Sequence, residues 1–302
     1  IQYLNRFNRP ITEVAQLSST IQQILAAAER IFNFLEETEE TPEVEKSLFK
    51  QIMNKDRKFL GEVEFRDVNF SYDVKPVIKN FSVKIKPGMQ VAIVGPTGAG
   101  KTTIVNLLMR FFDPNDGEIL IDGVETKKMR RDEVRDLFGM VLQDTWLFSG
   151  TIMENLKYGA KKISDEDVYK AAKLVGVDHF IKSLPNGYQT VISEDSDNIS
   201  AGEKQLMTIT RAVISEPMMM ILDEATSNVD TRTEQLIQDA FSKLTKGRTS
   251  FVIAHRLSTI RKADLILVMR EGNIIEQGNH KKLIAKNGFY AELYNSQFSE
   301  DV

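Results

Sequence analysis

The sequence of 302 residues contains no cysteine. This absence excludes disulfide bonds and thiolate metal sites, and it fits a reducing compartment. The chain also lacks any run of about 18 apolar residues and any N-terminal signal-peptide pattern, so we expect nothing in it to cross a bilayer unaided. Because the chain opens on Ile1 rather than methionine, we interpret it as a fragment or a processed chain.

Positive charge is not in excess. The chain has 39 Lys and Arg residues against 43 Asp and Glu residues, which gives a net charge of −4 and a pI near 5.6. A dedicated nucleic-acid-binding protein usually has a basic balance, so we expect no nucleic-acid partner. Hydrophobic residues make up 42% of the chain. That is enough for one large domain, or for one domain plus an extension, with a sizeable core.

The N-terminal part reads as a helix followed by a linker. Apolar residues recur every three or four positions over residues 11–35, which predicts an amphipathic helix that starts or kinks at Pro10. This helix either packs on its own domain or belongs to a larger bundle. Six glutamates and Pro42 within residues 36–46 predict a solvated linker. We accordingly predict a helical extension at 1–35, a linker at 36–59 and a domain at 60–302.

From about residue 60 the pattern changes to short strands and helices. The stretches "GEVEFRDVNFSY" and "NFSVKIKPG" alternate in polarity and predict antiparallel strands. Continuous apolar runs predict strands buried on both faces; these runs are "QVAIVG", "MMMILDE", "SFVIAH" and "DLILVM". Helical patterns lie between them, so we expect a mainly parallel sheet covered by helices. A helical subdomain is expected over about residues 144–215.

The segment "GPTGAGKT" at residues 95–102 matches G-x-x-x-x-G-K-[ST] in full. It follows a buried strand and precedes a helical pattern, as a phosphate-binding loop requires. Its glycines let consecutive backbone N–H groups point at phosphate oxygens. Lys101 supplies charge for the β- and γ-phosphates, and the Thr102 hydroxyl suits Mg²⁺. With the strand pattern, this motif predicts an α/β fold: a P-loop NTPase core with a mainly parallel sheet, an antiparallel β subdomain and a helical subdomain.

Three further candidates lie at the ends of buried strands. Asp223 is placed to orient Mg²⁺, usually through water, and Glu224 to polarise an attacking water. His255 is placed to donate a hydrogen bond to the γ-phosphate. Alternatively, these side chains are simply polar strand ends. The phosphate-binding loop favours the functional interpretation.

Gln143 and Tyr72 have two interpretations each. Gln143 follows a fourth apolar strand, where a neutral amide can bind Mg²⁺ or water, but a plain loop glutamine is equally compatible with the pattern. Tyr72 ends an early strand and presents a ring that can stack on adenine. A core or edge tyrosine is the commoner case.

The stretch "DNISAGEKQ" at residues 197–205 also allows two interpretations. Ser200 and Glu203 have the spacing of a capping box, in which each side chain bonds the other residue's backbone N–H. Gly202 lies in the first turn, although glycine inside a helix costs about 0.5–1 kcal/mol relative to alanine. A helix start with a small first turn is also a place to hold a phosphate.

The motifs occur in the same order as in a known protein family. The chain reads "GPTGAGKTT", "VLQDTWLFSGTI", "ISAGEKQLMTITRA", "MMMILDEATSNVD" and "FVIAHRLSTI" in turn. From about residue 60 to the C-terminus it resembles the nucleotide-binding domain of an ATP-binding cassette (ABC) transporter. The segment "DTWLFSGTIMENL" is similar to the exporter type, in which it meets the coupling helices of the transmembrane domain. Residues 1–35 resemble the cytoplasmic end of the last membrane helix in exporter half-transporters.

The resemblance implies a role for each matched residue. Glu224 is implied as the catalytic base, His255 as the switch histidine, and Lys101 and Gln143 as further catalytic residues. Thr102, Gln143 and Asp223 are implied as Mg²⁺ ligands. The residues implied to bind ATP are Tyr72, Thr97, Gly98, Ala99, Gly100, Lys101, Thr102, Thr103, Gln143, Ser200, Gly202 and Glu203. Residues 227–230 ("SNVD") resemble the family's D-loop, and Glu194 matches the glutamate of the exporter X-loop.

The family's signature pattern L-S-G-G-Q reads "ISAGE" here, with Ala201 in place of a glycine and Glu203 in place of glutamine. In the family this element contacts the γ-phosphate of ATP held by a second nucleotide-binding domain, from an identical or a related chain. ATP therefore favours the closed pair, and hydrolysis reopens it. The resemblance implies an ATP-hydrolysing motor at the cytoplasmic face of the cell membrane, coupled to export through a transmembrane domain.

Two other functions use the same phosphate-binding loop. A soluble cassette ATPase acting on nucleic acid or ribosomes is disfavoured by the acidic pI and by the exporter-type segment. A small-molecule kinase does not require the "ISAGE" element, so the presence of this element disfavours a kinase.

Overall fold

A computed structural model of the chain describes residues 2–37, 39–45, 47, 49, 59–142, 145–160, 163–193, 199–224, 230–254 and 257–298. The chain divides into two compact units, Ile1–Glu43 and Val44–Val302. The first unit is built on one long helix, and the second on sheets with helices.

The long helix, α1 (Gln2–Glu36), begins before the predicted residue 11 and continues through Pro10. Proline removes one backbone hydrogen bond from a helix, and on a solvated helix the freed carbonyl can bond water. Of the two alternatives predicted at Pro10, a helix start or a kink, the start is therefore wrong. The apolar stripe is exposed to solvent, since Ile11, Val14 and Leu17 are 56%, 69% and 63% exposed. Among the described residues, no helix is both long enough and apolar enough to span a membrane.

The second unit contains an antiparallel sheet in the order β2-β1-β4-β5. Its strands are β1 (Val63–Phe70), β2 (Ile78–Ile85), β4 (Asp116–Ile121) and β5 (Val124–Glu125). The alternating pattern of β1 places Val63, Phe65, Val68 and Phe70 in the core. Strands β1 and β2 were predicted to be antiparallel, and their pairing confirms it.

A six-stranded sheet forms the centre of the unit, in the order β12-β11-β3-β10-β9-β6. Every neighbouring pair is parallel except β11 and β12. The strands are β3 (Gln90–Val94), β6 (Phe138–Val141), β9 (Met219–Glu224), β10 (Thr249–Ala254), β11 (Leu265–Arg270) and β12 (Asn273–Gly278). Because β3, β10 and β9 are adjacent and parallel, their carboxyl ends meet at one edge of the sheet.

Both faces of this sheet are covered. In β3, Val91 and Ile93 join a core shared with the antiparallel sheet, whereas Ala92 and Val94 join a second core formed with helices. This burial on two faces explains the continuous apolar run of the strand. The mainly parallel core with an antiparallel subdomain confirms the predicted α/β fold class.

Helices fill the connections of the second unit. They are α2 (Lys101–Leu108), α3 (Arg131–Asp136), α4 (Ile152–Lys157), α5 (Asp165–Val175), α6 (Asp178–Ser183), α7 (Ala201–Ile214), α8 (Thr231–Thr245), α9 (Leu257–Lys262), α10 (His280–Lys286) and α11 (Phe289–Phe298). Helices α4 to α7 lie within the predicted helical region, which also contains the short antiparallel pair β7 (Gly150–Thr151) and β8 (Val191–Ile192).

One side chain of the predicted linker is part of a core. Phe49 is buried, and its ring lies edge-to-face against Phe59 with centroids 6.2 Å apart. The stretch 36–59 is therefore not solvated throughout. The domain boundaries themselves, and the origin of α1 in a membrane domain, stay predictions.

Candidate functional site

The phosphate-binding loop connects the end of β3 at Val94 to the start of α2 at Lys101. Gly95 has a φ of 155°, and a Cβ atom there would overlap the carbonyl oxygen of Met269 on β11. Gly98 has a φ of 80°, and within the described part of the chain no atom lies within 4 Å of where its Cβ would stand. Only glycine therefore fits at position 95, and the loop surface is open at position 98.

The start of α2 suits an anion. Its N-cap residue is Gly100, which has no side chain to bond the first-turn N–H groups. Such N–H groups need an external acceptor, and the helix dipole favours a negative one. Thr102 is exposed in this first turn, whereas Thr103 is buried. The order of strand, open loop and helix is the one that a phosphate group requires.

The side chain of Lys101 bonds the backbone of the loop that it ends. Its Nζ atom donates hydrogen bonds to the carbonyl oxygens of Gly95 at 2.7 Å and Pro96 at 3.1 Å. Burial lowers the pKa of Lys101, and the nearby Asp223 carboxylate acts in the opposite direction. The predicted phosphate-binding lysine and the predicted metal-orienting aspartate are therefore electrostatic neighbours.

The strand register explains how Asp223 reaches this position. Asp223 pairs with Ile253 of β10, which in turn pairs with Ile93 of β3. The partly buried Asp223 thus lies at the carboxyl edge of the sheet, level with the last residues of the strand that leads into the loop. Glu224 ends the same strand.

Several predicted site residues lie outside the described residues. They are Gln143, Glu194, residues 227–229 of the "SNVD" segment and His255. In the sequence, Gln143 comes two positions after the last residue of β6, and His255 directly follows the last residue of β10. The roles of these residues, like those of the other site residues, stay predictions.

Tyr72 is held by aromatic and polar contacts. Its ring lies edge-to-face with Phe70 and Phe112, with centroids 4.9 Å and 5.0 Å apart. Its hydroxyl lies 3.3 Å from Oγ1 of Thr103 and 3.2 Å from Nδ2 of Asn106. The residue is 47% exposed. Part of the residue is therefore accessible beside the phosphate-binding loop, and its stacking on adenine stays a prediction.

The capping box predicted at Ser200 is confirmed. Glu203 N donates to Ser200 Oγ at 3.3 Å, and Ser200 N donates to a Glu203 carboxylate oxygen at 2.9 Å. The Ser200 hydroxyl also donates to that oxygen, at 2.8 Å. Ser200 and Ala201 are exposed and Gly202 is buried. The exposed serine at the start of α7 is available to a ligand from outside the chain.

Sequence reasoning missed a buried polar network around Asn155. Asn155 is fully buried, and its side chain bonds the backbone N–H and C=O of Phe148. Arg211 of α7 donates to the Asn155 carbonyl and amide oxygens, both at 2.6 Å, and to the Trp146 carbonyl oxygen at 2.8 Å. These bonds connect α7 to the segment 145–149. The one local signal was a second capping box, Thr151 with Glu154, which marks the start of α4.

The same network holds a surface of aromatic rings. Trp146, Phe148 and Tyr158 have ring centroids 5.3 to 6.1 Å apart, and the Arg211 guanidinium lies over Phe148 and Tyr158. Burial lowers the pKa of Arg211. Trp146 and Tyr158 are 52% and 58% exposed. Exposed aromatic clusters of this kind are typical of protein–protein contact sites.

Comparison with known proteins gives matches that agree with this geometry. The family model described as ABC transporter matches residues 78–227. A fatty acid ABC transporter ATP-binding/permease protein of Mycobacterium bovis is 51% identical over 294 residues, which are 97% of this chain and 45% of that protein. An ATP-dependent lipid A-core flippase of Syntrophus aciditrophicus is 40% identical over 297 residues, covering 97% of this chain and 48% of the flippase.

A solved structure extends the match to the fold. It is a bacterial Atm1-family ABC exporter with ATP bound, which superposes with a TM-score of 0.80 at 38% identity. The match covers 99% of this chain and 52% of the exporter chain. The chain thus spans about half the length of the curated relatives it matches. The chain belongs to the ABC transporter family and contains the nucleotide-binding domain of the exporter type.

Proposed function

We propose that this chain is the motor part of a membrane exporter, in which ATP hydrolysis between two nucleotide-binding domains drives a substrate across the membrane. The observation that carries the proposal is the phosphate-binding loop, with Lys101 beside Asp223 at the carboxyl edge of the parallel sheet. This edge is where ligands of open α/β sheets bind.

In this proposal, ATP extends from the phosphate-binding loop to the ring of Tyr72. The phosphates lie against the backbone of residues 97–103, where Lys101 contributes charge, and adenine stacks on Tyr72. The hydrogen bond between Tyr72 and Thr103 supports this arrangement, because it places the ring next to the helix that carries the loop.

The donors present fit Mg²⁺, which prefers hard oxygen ligands. Thr102 offers a hydroxyl in the first turn of α2, and Asp223 offers a carboxylate at the end of β9. Gln143 is the third proposed ligand, with a neutral amide oxygen. When bound, the metal ion neutralises charge on the β- and γ-phosphates.

Hydrolysis needs a base that receives a proton from water. Glu224 takes this proton as the water oxygen bonds to the γ-phosphorus and the bond to the ADP oxygen breaks. His255 donates to the γ-phosphate, and Gln143 orients the water or the metal. Positioning and charge stabilisation supply most of the catalysis in such a phosphoryl transfer.

The first protein partner is another nucleotide-binding domain, from an identical or a related chain. Ser200 and Gly202 at the start of α7 contact the γ-phosphate of ATP held by that partner. The exposure of Ser200 supports this contact, because the hydroxyl is accessible from outside. ATP then stabilises the closed pair, since it binds that state better than the separate domains.

The second protein partner is a transmembrane domain. The aromatic surface of Trp146, Phe148 and Tyr158 suits its coupling helices, and the exposed apolar stripe of α1 suits other membrane-domain helices. We propose that the chain lies at the cytoplasmic face of a cell membrane. Two relatives are named for fatty acid and for lipid A-core. Substrate contacts are expected in the transmembrane domain, away from the phosphate site.

The test uses Glu224→Gln, with Glu292→Gln on the exposed surface of α11 as the control. Glu224→Gln should keep ATP affinity, lose nearly all turnover, and form an ATP-dependent dimer that persists during size-exclusion chromatography. Glu292→Gln should behave like the wild type in all three measurements. A wild-type ATPase rate in Glu224→Gln would refute the base assignment.

A further inference from the structure

The hydroxyl of Tyr72 is bonded to two side chains of one helix. It lies 3.3 Å from Thr103 Oγ1 and 3.2 Å from Asn106 Nδ2, and both partners belong to α2. A phenol hydroxyl has one proton to donate, and an amide nitrogen is a donor only. Tyr72 therefore donates to Thr103 and accepts from Asn106. Both hydrogen-bonding capacities of the hydroxyl are used on the helix that follows the phosphate-binding loop.

Two aromatic neighbours also contact the ring of Tyr72. Phe70 and Phe112 meet it nearly at right angles, with interplanar angles of 85° and 87°. A ring fixed by two aromatic neighbours and by its hydroxyl has little rotational freedom left. Its remaining surface, with 47% of the residue exposed, is presented in one orientation.

We propose that Asn106 is a positioning residue for the nucleotide base, and that it acts through the Tyr72 hydroxyl. This rests on the proposed function, in which adenine stacks on Tyr72. Asn106 fixes the distance between the stacking ring and the phosphate-binding loop, because α2 carries Asn106 near one end and Lys101 at the other. ATP then meets a base site and a phosphate site that are already spaced for it, and preorganisation of this kind raises affinity.

Thr103 is compatible with this role. A threonine hydroxyl can accept one hydrogen bond while donating another. Thr103 can thus keep its bond from Tyr72 and still donate to a phosphate oxygen. The base site and the phosphate site are connected through this hydroxyl as well as through the helix.

A purely structural role for Asn106 predicts a different outcome. Asparagine is a poor helix former, and alanine is the best. If Asn106 served only the helix, Asn106→Ala would leave ATP affinity unchanged and would not lower stability. If Asn106 positions Tyr72, the variant keeps its fold and loses affinity for the base.

The experiment measures the dissociation constants of ATP and of tripolyphosphate, which has no base, by isothermal titration calorimetry. The proteins are the wild type, Asn106→Ala, Tyr72→Phe and the double variant. Asn106→Ala removes one hydrogen bond of the Tyr72 hydroxyl and should weaken ATP binding about two- to tenfold. Tyr72→Phe removes that bond and the bond to Thr103, so it should weaken ATP binding at least as much. The double variant should bind ATP no more weakly than Tyr72→Phe, because Tyr72→Phe already removes the interaction that Asn106→Ala removes. Tripolyphosphate affinity should stay unchanged in Asn106→Ala, which leaves the bond between Tyr72 and Thr103 in place.

Steady-state kinetics and a matched control complete the test. Asn106→Ala should raise KM for ATP while kcat at saturating ATP stays within about twofold, since a base contact contributes equally to ground state and transition state. Asn295→Ala, an exposed asparagine on α11, should change neither constant.

Three outcomes would overturn the inference: unchanged ATP affinity in Asn106→Ala, an equal loss for tripolyphosphate, or additive losses in the double variant. Tyr72→Ala separates this inference from the proposed base site. If Tyr72→Ala binds ATP as the wild type does, the base site and the inference both fail. If Tyr72→Ala weakens ATP binding and Asn106→Ala does not, the inference alone fails.

Discussion

The Nζ atom of Lys101 lies 2.7 Å from the carbonyl oxygen of Gly95, the first residue of the loop that Lys101 ends. A second bond runs to Pro96, at 3.1 Å. A lysine ammonium can donate three hydrogen bonds. Two of them close the loop from inside, and the third suits a phosphate oxygen.

Lys101→Ala should weaken ATP binding by about ten- to a hundredfold, the range for a hydrogen bond to a charged group. Isothermal titration calorimetry with ATP measures this loss. Lys170→Ala, which removes an exposed lysine from α5, is the matched control and should bind ATP normally. An unchanged dissociation constant in Lys101→Ala would refute the phosphate-binding role of this lysine.

Substitutions at Ser200 can separate helix capping from ATP binding. Ser200→Ala removes the cap and should lower the free energy of unfolding by about 1 kcal/mol. Ser200→Asn keeps a good cap, because its amide can accept from the Glu203 N–H and donate to the Glu203 carboxylate, but it replaces the hydroxyl by a larger group. This variant should stay close to wild-type stability and still lose ATP-driven dimerisation. Urea unfolding and sedimentation velocity with ATP, both in a Glu224→Gln background, measure the two properties.

For Ser200, the decisive comparison is between the free energy of unfolding and ATP-driven dimerisation. If Ser200→Asn dimerised with ATP as well as the parent did, the capping box would be the whole role of the serine. Ser200→Arg provides a further check, since it should also fold and fail to dimerise.

Asn155→Ala should lower the free energy of unfolding by about 2–3 kcal/mol, because it leaves buried polar partners unsatisfied. Those partners are the Phe148 backbone groups and the Arg211 guanidinium. The urea midpoint measures the loss, and Asn295→Ala should stay within about 0.5 kcal/mol of the wild type. A loss below about 1 kcal/mol in Asn155→Ala would mean that water or rearrangement replaces the amide.

His280 should make the fold sensitive to acid. Burial lowers the pKa of His280, with a smaller effect from Arg261, and its Nδ1 atom lies 2.9 Å from the Tyr290 hydroxyl. The unfolded chain takes up this proton near the ordinary pKa of about 6.5, and the folded chain takes it up only at lower pH. The stability contribution is therefore present above about pH 6.5 and is lost as pH falls through the folded-state pKa.

The pH prediction is measured as the change in Tm between pH 7.5 and pH 5.5. The decrease should be larger in the wild type than in His280→Gln, which keeps a polar side chain but does not titrate in this range. Equal decreases in both proteins would show that other groups cause the acid sensitivity.

Features encoded in a few consecutive residues could be predicted from the sequence. The segment 95–102 contains its own glycines, lysine and flanking periodicity, and the spacing of Ser200 and Glu203 identifies a cap within one helical turn. The apolar run of β3 likewise reports burial on both faces. In each case the physical requirement is met by neighbours in the chain, so the local pattern is enough.

Contacts between distant residues could not be predicted in this way. Arg211 bonds a residue 56 positions away, and Asn106 bonds one 34 positions away. No periodicity marks such pairs, because they depend on how the strands are ordered. Strand β4 was missed because its sequence begins with the turn-forming pair Asp116 and Gly117, and only its second half is buried.

The place of β3 in its sheet has a mechanical consequence for the nucleotide site. It lies between β11 and β10 and is paired along its length with both. Shifting it requires breaking backbone hydrogen bonds on two sides at once. A nucleotide that binds the loop after β3 is thus attached to a strand that is paired on both sides. In the proposed pair, the start of α7 from the other chain contacts the same ATP without such a ladder, so a force transmitted through ATP should displace that helix before it displaces the loop.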